Sequence, residues 1–174
     1  MPPASDPAVP LCFDTSAVRG FRAATIFLAR CRASWPERPL LLPAIVVAEQ
    51  VRHWIVAKPT EFDGSKFASF LVNYTVAGFD DETALDAWPQ VLEQLRPAPP
   101  APWPWRYDEA PAPLTRARRQ ACAQVCRWPD HAIQAIALRH RALLVTEDLS
   151  LIEAMRPYEP GAVSKADIEA LLLA

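Results

Sequence analysis

"PLCFDTSAV", residues 10–18, and "ALLVTEDLS", residues 142–150, decide how this chain folds. Each is a short apolar run that ends in small polar residues and delivers an aspartate, Asp14 in the first and Asp148 in the second. Apolar runs of this length, bounded by turn residues, read as strands buried in a sheet. Taken alone, each Asp has an ordinary reading as the cap of the helix or turn that follows. Taken together, two strands that both end on an Asp can set those carboxylates side by side.

Between them the chain alternates. "AVRGFRAATIFLARCRA" reads as a helix with Ala17, Phe21, Ala24, Ile26 and Leu28 as its apolar contacts, and "RPLLLPA" as a second strand. "IVVAEQVRHWIVA" spaces Val47, Val51, Trp54 and Ile55 as a helix does, although its β-branched content also suits a strand. A helix is expected around residues 65–74. Another, capped by Asp80 or Asp81, carries Leu85, Trp88, Leu92 and Leu95, and Pro89 should kink or split it. "RPAPPAPWPWRYDEAPAP" is a Pro-rich loop, followed by a basic helix, "LTRARRQACAQVCR". "WPDHAIQAIALRHR" reads as a helix with Pro129 in its first turn and Ile133, Ile136 and Ala137 turned inward. "ALLVT" is a third strand, and "SKADIEALLLA" a last helix capped by Ser164 and Asp167. Strands alternating with helices predict an α/β domain, a short parallel sheet flanked by helices with right-handed crossovers. Ligands in such sheets gather outside the C-terminal strand ends. Residues 1–9 read as a flexible, frayed leader and 10–174 as one domain with a Pro/Trp-rich insertion at 97–113.

Composition narrows the function. With 174 residues, 51% of them hydrophobic, the chain can bury a core of its own. A net charge of −2 excludes a broadly basic surface, so nucleic acid must be met by local patches. The four glycines, Gly20, Gly64, Gly78 and Gly161, are too dispersed for a phosphate-cradling loop. Cys12, Cys31, Cys122 and Cys126 form no CxxC pair and read as small buried apolar residues. "MPPASDPAVP" lacks the basic start and apolar core of a signal peptide, and "PLLLPAIVVA" is too short to span a bilayer. A cytoplasmic protein is expected.

Two more carboxylates extend the acidic set. Glu49 lies opposite Val47 and Val51 on its helix, and Asp130 in the first turn of the helix that begins at "WPD", where the helix dipole favours an anion. Glu49 also has a plain reading, as a surface partner of Arg52 or His53. Four carboxylates converging on one sheet edge repel one another unless a cation joins them. Mg²⁺ accepts such oxygen ligands together with phosphate oxygens, and can activate a water. No Ser or Cys nucleophile with a His partner is evident; His53, His131 and His140 read as surface or helix-end residues.

At this point the chain resembles the PIN-domain nucleases, many of which are VapC-like toxins. "LCFDTSAV", "LLPAIVVAEQV" and "WPDHAIQAIALRHRALLVTED" are similar to that family's successive motifs, over a little under half the chain. The resemblance implies a divalent-metal-dependent ribonuclease holding Mg²⁺ or Mn²⁺ through Asp14, Glu49, Asp130 and Asp148, with Ser16 and Thr146 in supporting positions. It also implies RNA as substrate, a homodimer and a cognate antitoxin covering the groove. Arg19, Arg52, Arg116 and Arg119 are candidates for substrate phosphates; for the basic run 116–119 a solvated helix face is the alternative. Trp103, Trp105 and Tyr107 could stack on bases beside Arg106 or pack on the domain's flank. Two other readings stand beside the toxin: a non-catalytic PIN-like module binding RNA or protein, and an RNA-processing nuclease with no antitoxin. A haloacid-dehalogenase-type phosphatase is discounted, because it expects an acid where Ser16 stands.

Overall fold

The computed structural model describes residues 3–57, 63–94 and 128–173. The insertion at 97–113, Arg116, Arg119, Cys122 and Cys126 lie outside the described residues.

Three apolar segments form the centre: β1 (Leu11–Phe13), β2 (Leu40–Pro43) and β4 (Leu143–Val145), every residue of them buried. Two shorter strands complete the sheet, β3 (Thr75–Ala77) and β5 (Ala162–Val163). The order is β3-β2-β1-β4-β5, with every pairing parallel. The chain therefore steps outward from β1 through β2 to β3, then returns to add β4 and β5 on the other side. That reversal at β1 and β4 opens a crevice at the C-terminal strand ends. Leu11 pairs with both Leu40 and Leu143, and Cys12 with Leu41 and Leu144, so β1 is the sheet's central strand.

The helices supply the layers. α1 (Phe21–Ser34) buries Ala24, Phe27, Leu28 and Cys31. α2 (Ala44–Ala57) starts directly after Pro43, which settles its helix-or-strand ambiguity as helix. α3 (Gly64–Leu71) is capped by Asp63, whose side chain accepts from the Ser65 and Lys66 amides. A π-helical turn, Thr83–Ala87, runs into α4 (Trp88–Gln94). α5 (Trp128–Arg139) buries Ile133, Ile136 and Ala137 as expected. α6 (Leu149–Met155) and α7 (Lys165–Leu171) follow β4 and β5, and α7 carries the capping box of Ser164 and Asp167. Among the described residues, no helix is long and apolar enough to cross a membrane.

Several expectations are corrected. The first helix begins at Phe21, not Ala17, because residues 15–18 are a turn and Gly20 beyond it is held at a φ of 82° that side-chain-bearing residues rarely adopt. Ile26 is exposed, and Phe27 takes its place in the core, edge-on to Phe13 at 6.0 Å. Leu85 is also exposed. Pro89 cannot donate to the Leu85 carbonyl and its ring crowds that oxygen, so the helix widens into the π-turn just before it. The inward face there becomes Thr83, Ala87 and Val91. His131 is buried in α5, not a surface residue. Within residues 3–9, Ala4 joins the core, and the buried Arg38 guanidinium donates to the Ala4 and Val9 carbonyls at 2.8 Å each, while residues 6–8 are exposed.

Candidate functional site

Asp14 is the first residue beyond β1. Its amide still donates to the Val145 carbonyl at 3.0 Å, which fixes its backbone on the last rung of the sheet. The side chain is only 5% exposed, and one oxygen carries all its hydrogen bonds. Oδ2 accepts from the Ser16 amide at 3.2 Å, the Ser16 hydroxyl at 2.6 Å and the Thr146 hydroxyl at 2.9 Å. Among the described residues, Oδ1 accepts none, and Asp14 lines a cleft.

The two hydroxyls act as a matched pair. Each has one proton and directs it to Asp14, so the 3.2 Å between Ser16 Oγ and Thr146 Oγ1 is proximity and not a further bond. Each then accepts an amide from the turn after β4: Glu147 N–H to Ser16 Oγ at 2.8 Å, and Asp148 N–H to Thr146 Oγ1 at 3.0 Å. Residues 130 positions apart are thereby joined into one collar.

Asp148 caps α6, accepting from the Ser150 amide at 2.8 Å and from the Ser150 hydroxyl. The ordinary capping reading of Asp148 therefore holds as well. Asp130 stands half-buried in the first turn of α5. Glu49 is half-buried on α2 and accepts the Thr15 hydroxyl on Oε2. That bond, and not one to Arg52 or His53, is what holds it.

These residues share one cleft of about 480 Å³, lined by Asp14, Glu49, Asp130 and Asp148 together with Arg19, Arg52 and His53. Four elements thus bring all four sequence-predicted carboxylates to one opening. The donor set is oxygen-only, the kind that hard divalent cations take. As the side chains stand, no three His, Cys, Asp or Glu residues among those described close on a single point tightly enough to enclose an ion. Cys12, the neighbour of Phe13 on β1, has its thiol pushed far above the ordinary value, first by burial and then by the charge of Asp14. That makes it a packing residue and no nucleophile.

Three participants escaped the sequence reading. Thr15 holds Glu49. Glu147 accepts the Lys165 amide on Oε1 at 2.9 Å, tying the turn after β4 to α7. His53, read only as a surface partner of Glu49 or a helix-end residue, lines the cleft. No protein-family model matches the chain, and no curated protein matches it significantly.

Proposed function

We propose that this chain is a divalent-metal-dependent ribonuclease, hydrolysing RNA phosphodiesters as the toxin of a toxin–antitoxin pair. The observation that carries the reading is the single cleft lined by Asp14, Glu49, Asp130 and Asp148 at the C-terminal edge of a parallel sheet. The motif order that resembles PIN-domain nucleases names the same four residues. The carboxylates of Asp14, Glu49, Asp130 and Asp148 are the groups that would hold Mg²⁺ or Mn²⁺. Such an ion supplies a water of lowered pKa and neutralises charge on a phosphodiester.

The chain's own part is to fix those oxygens and to receive a polyanion. Ser16 and Thr146 immobilise Asp14 by saturating its inner oxygen. Arg19 and Arg52, exposed on the lip and without an ion pair among the described residues, receive the phosphates that flank the scissile bond. A homodimer and an antitoxin segment over the cleft belong to this reading through the family resemblance alone. One observation favours a different class, a non-catalytic binding module: the carboxylates as they stand do not close around a point.

Incubation of purified protein with total RNA and Mg²⁺ or Mn²⁺ separates the two. Cleavage is expected, and both a chelator and Asp14→Asn abolish it. Folded protein that binds RNA but leaves it intact with either metal moves the assignment to the binding module.

A further inference from the structure

Thr15 is gripped twice by α2. Its hydroxyl donates to Glu49 Oε2, and its carbonyl accepts from Gln50 Nε2 at 3.4 Å. Both partners are more than thirty residues away in sequence, so these are tertiary contacts rather than local turn chemistry. Thr15 also stands between Asp14 and Ser16, whose side chains are bonded to each other, with Asp14 bonded to Thr146 as well. It is therefore the link between Glu49 and the collar around Asp14.

A glutamate has three side-chain torsions, and on an open helix face it samples several rotamers. A charge-assisted bond from a threonine fixed in a turn removes that freedom. The bond also decides which oxygen remains. Glu49 has Oε2 taken by Thr15, and among the described residues Oε1 accepts no bond. Asp14 repeats the pattern, with Oδ2 saturated and Oδ1 open. Each carboxylate keeps one oxygen without a hydrogen bond among the described residues, and both residues line the cleft.

We infer that Thr15 is a positioning residue: it holds Glu49 so that a single oxygen faces the cleft, which biases the site toward Mg²⁺ or Mn²⁺ and against Ca²⁺. Ca²⁺ is larger, gathers more oxygens and readily takes carboxylates two oxygens at a time, whereas Mg²⁺ binds a few single oxygens and keeps its waters. Freeing Glu49 Oε2 removes that bias. This inference rests on the metal-nuclease reading above.

The test is calorimetric titration of the full chain with Mn²⁺ and, separately, with Ca²⁺, for wild type, Thr15→Val and Thr15→Ser, with unfolding midpoints alongside. Wild type is expected to bind Mn²⁺ the more tightly. Thr15→Val lowers Mn²⁺ affinity about 10- to 100-fold and narrows the Mn²⁺-to-Ca²⁺ ratio. Thr15→Ser, which keeps the hydroxyl, restores both. Thr15→Ala takes the place of the valine variant if the latter unfolds. Wild-type affinities in the valine variant, or equal weakening toward both ions, overturn the inference and leave the nuclease reading standing. A wild-type protein that binds neither ion overturns both.

Discussion

The hydroxyl of Thr146 has two duties that no apolar residue of its shape can perform. It donates to the buried Asp14 carboxylate and accepts the Asp148 amide, and the residue itself is fully buried. Thr146→Val keeps the volume and removes both bonds. The Asp148 amide then loses its partner, and Asp14 Oδ2 keeps only the Ser16 donors. Leaving buried polar groups short of partners costs about 1–3 kcal/mol, so the urea midpoint of Thr146→Val is expected to fall by a corresponding amount. Ser16→Ala at the same collar is the natural comparison, since Ser16 Oγ makes the equivalent pair of bonds to Asp14 and Glu147. A Thr146→Val protein as stable as wild type would show that the collar contributes nothing to the fold. Its geometry would then serve Asp14 alone.

At the scale of elements, a helix start makes the sharpest test. Ser164 Oγ accepts the Asp167 amide at 3.1 Å, and Asp167 Oδ2 accepts the Ser164 amide at 3.0 Å. The box launches α7, whose Ile168 is fully buried. Ser164→Ala should cost about 1 kcal/mol, with faster hydrogen exchange at the Asp167 amide as the local signature. This box was legible in the sequence because capping chemistry is written in residues three apart. The strands that reach the site were legible for a similar reason: Leu11–Phe13 and Leu143–Val145 are buried on both faces and show as unbroken apolar runs. β3 and β5 were not, since at the sheet's edges their residues are mostly exposed or half-buried and show no unbroken apolar run. The face of α4 was misread because regular 3.6-residue spacing fails across the π-turn that Pro89 imposes. Within the site, Asp14, Asp130 and Asp148 could be named from their places at strand ends and a helix start, and Glu49 from its place on α2 opposite Val47 and Val51. Thr15 could not, because its bond to Glu49 exists only after α2 folds back over the turn that follows β1.

The whole molecule depends on a core that is apolar in practice but carries ionisable groups. Cys12, Cys31 and Tyr74 all pack into the main hydrophobic cluster around β1. Burial raises the Cys31 thiol from 9.0 to about 11, with the nearby Arg38, Arg30 and Arg32 pulling it partly back. Burial lifts Cys12 and Tyr74 further still. The Tyr74 hydroxyl has no hydrogen-bond partner among the described residues, so nothing there favours its ionised form through a donor. For each of these acids the folded pKa lies above the unfolded one. Their contribution to stability is therefore complete below the unfolded values, 9.0 for a thiol and 10.0 for the phenol, and is lost as pH rises through the folded values. The expected outcome is a urea midpoint that is insensitive to these groups at neutral pH and declines from about pH 9 through 11. Cys31→Ala, although less stable at pH 7 for the volume it removes, should show a shallower decline over that window. Tyr74→Phe should do the same at its upper end while ridding the core of an unpaired hydroxyl. Parallel declines in wild type and both variants would assign the alkaline loss to surface charge instead. The alkaline loss would then come from self-repulsion of the molecule, and not from buried thiols and a phenol that release their protons once the core around β1 opens.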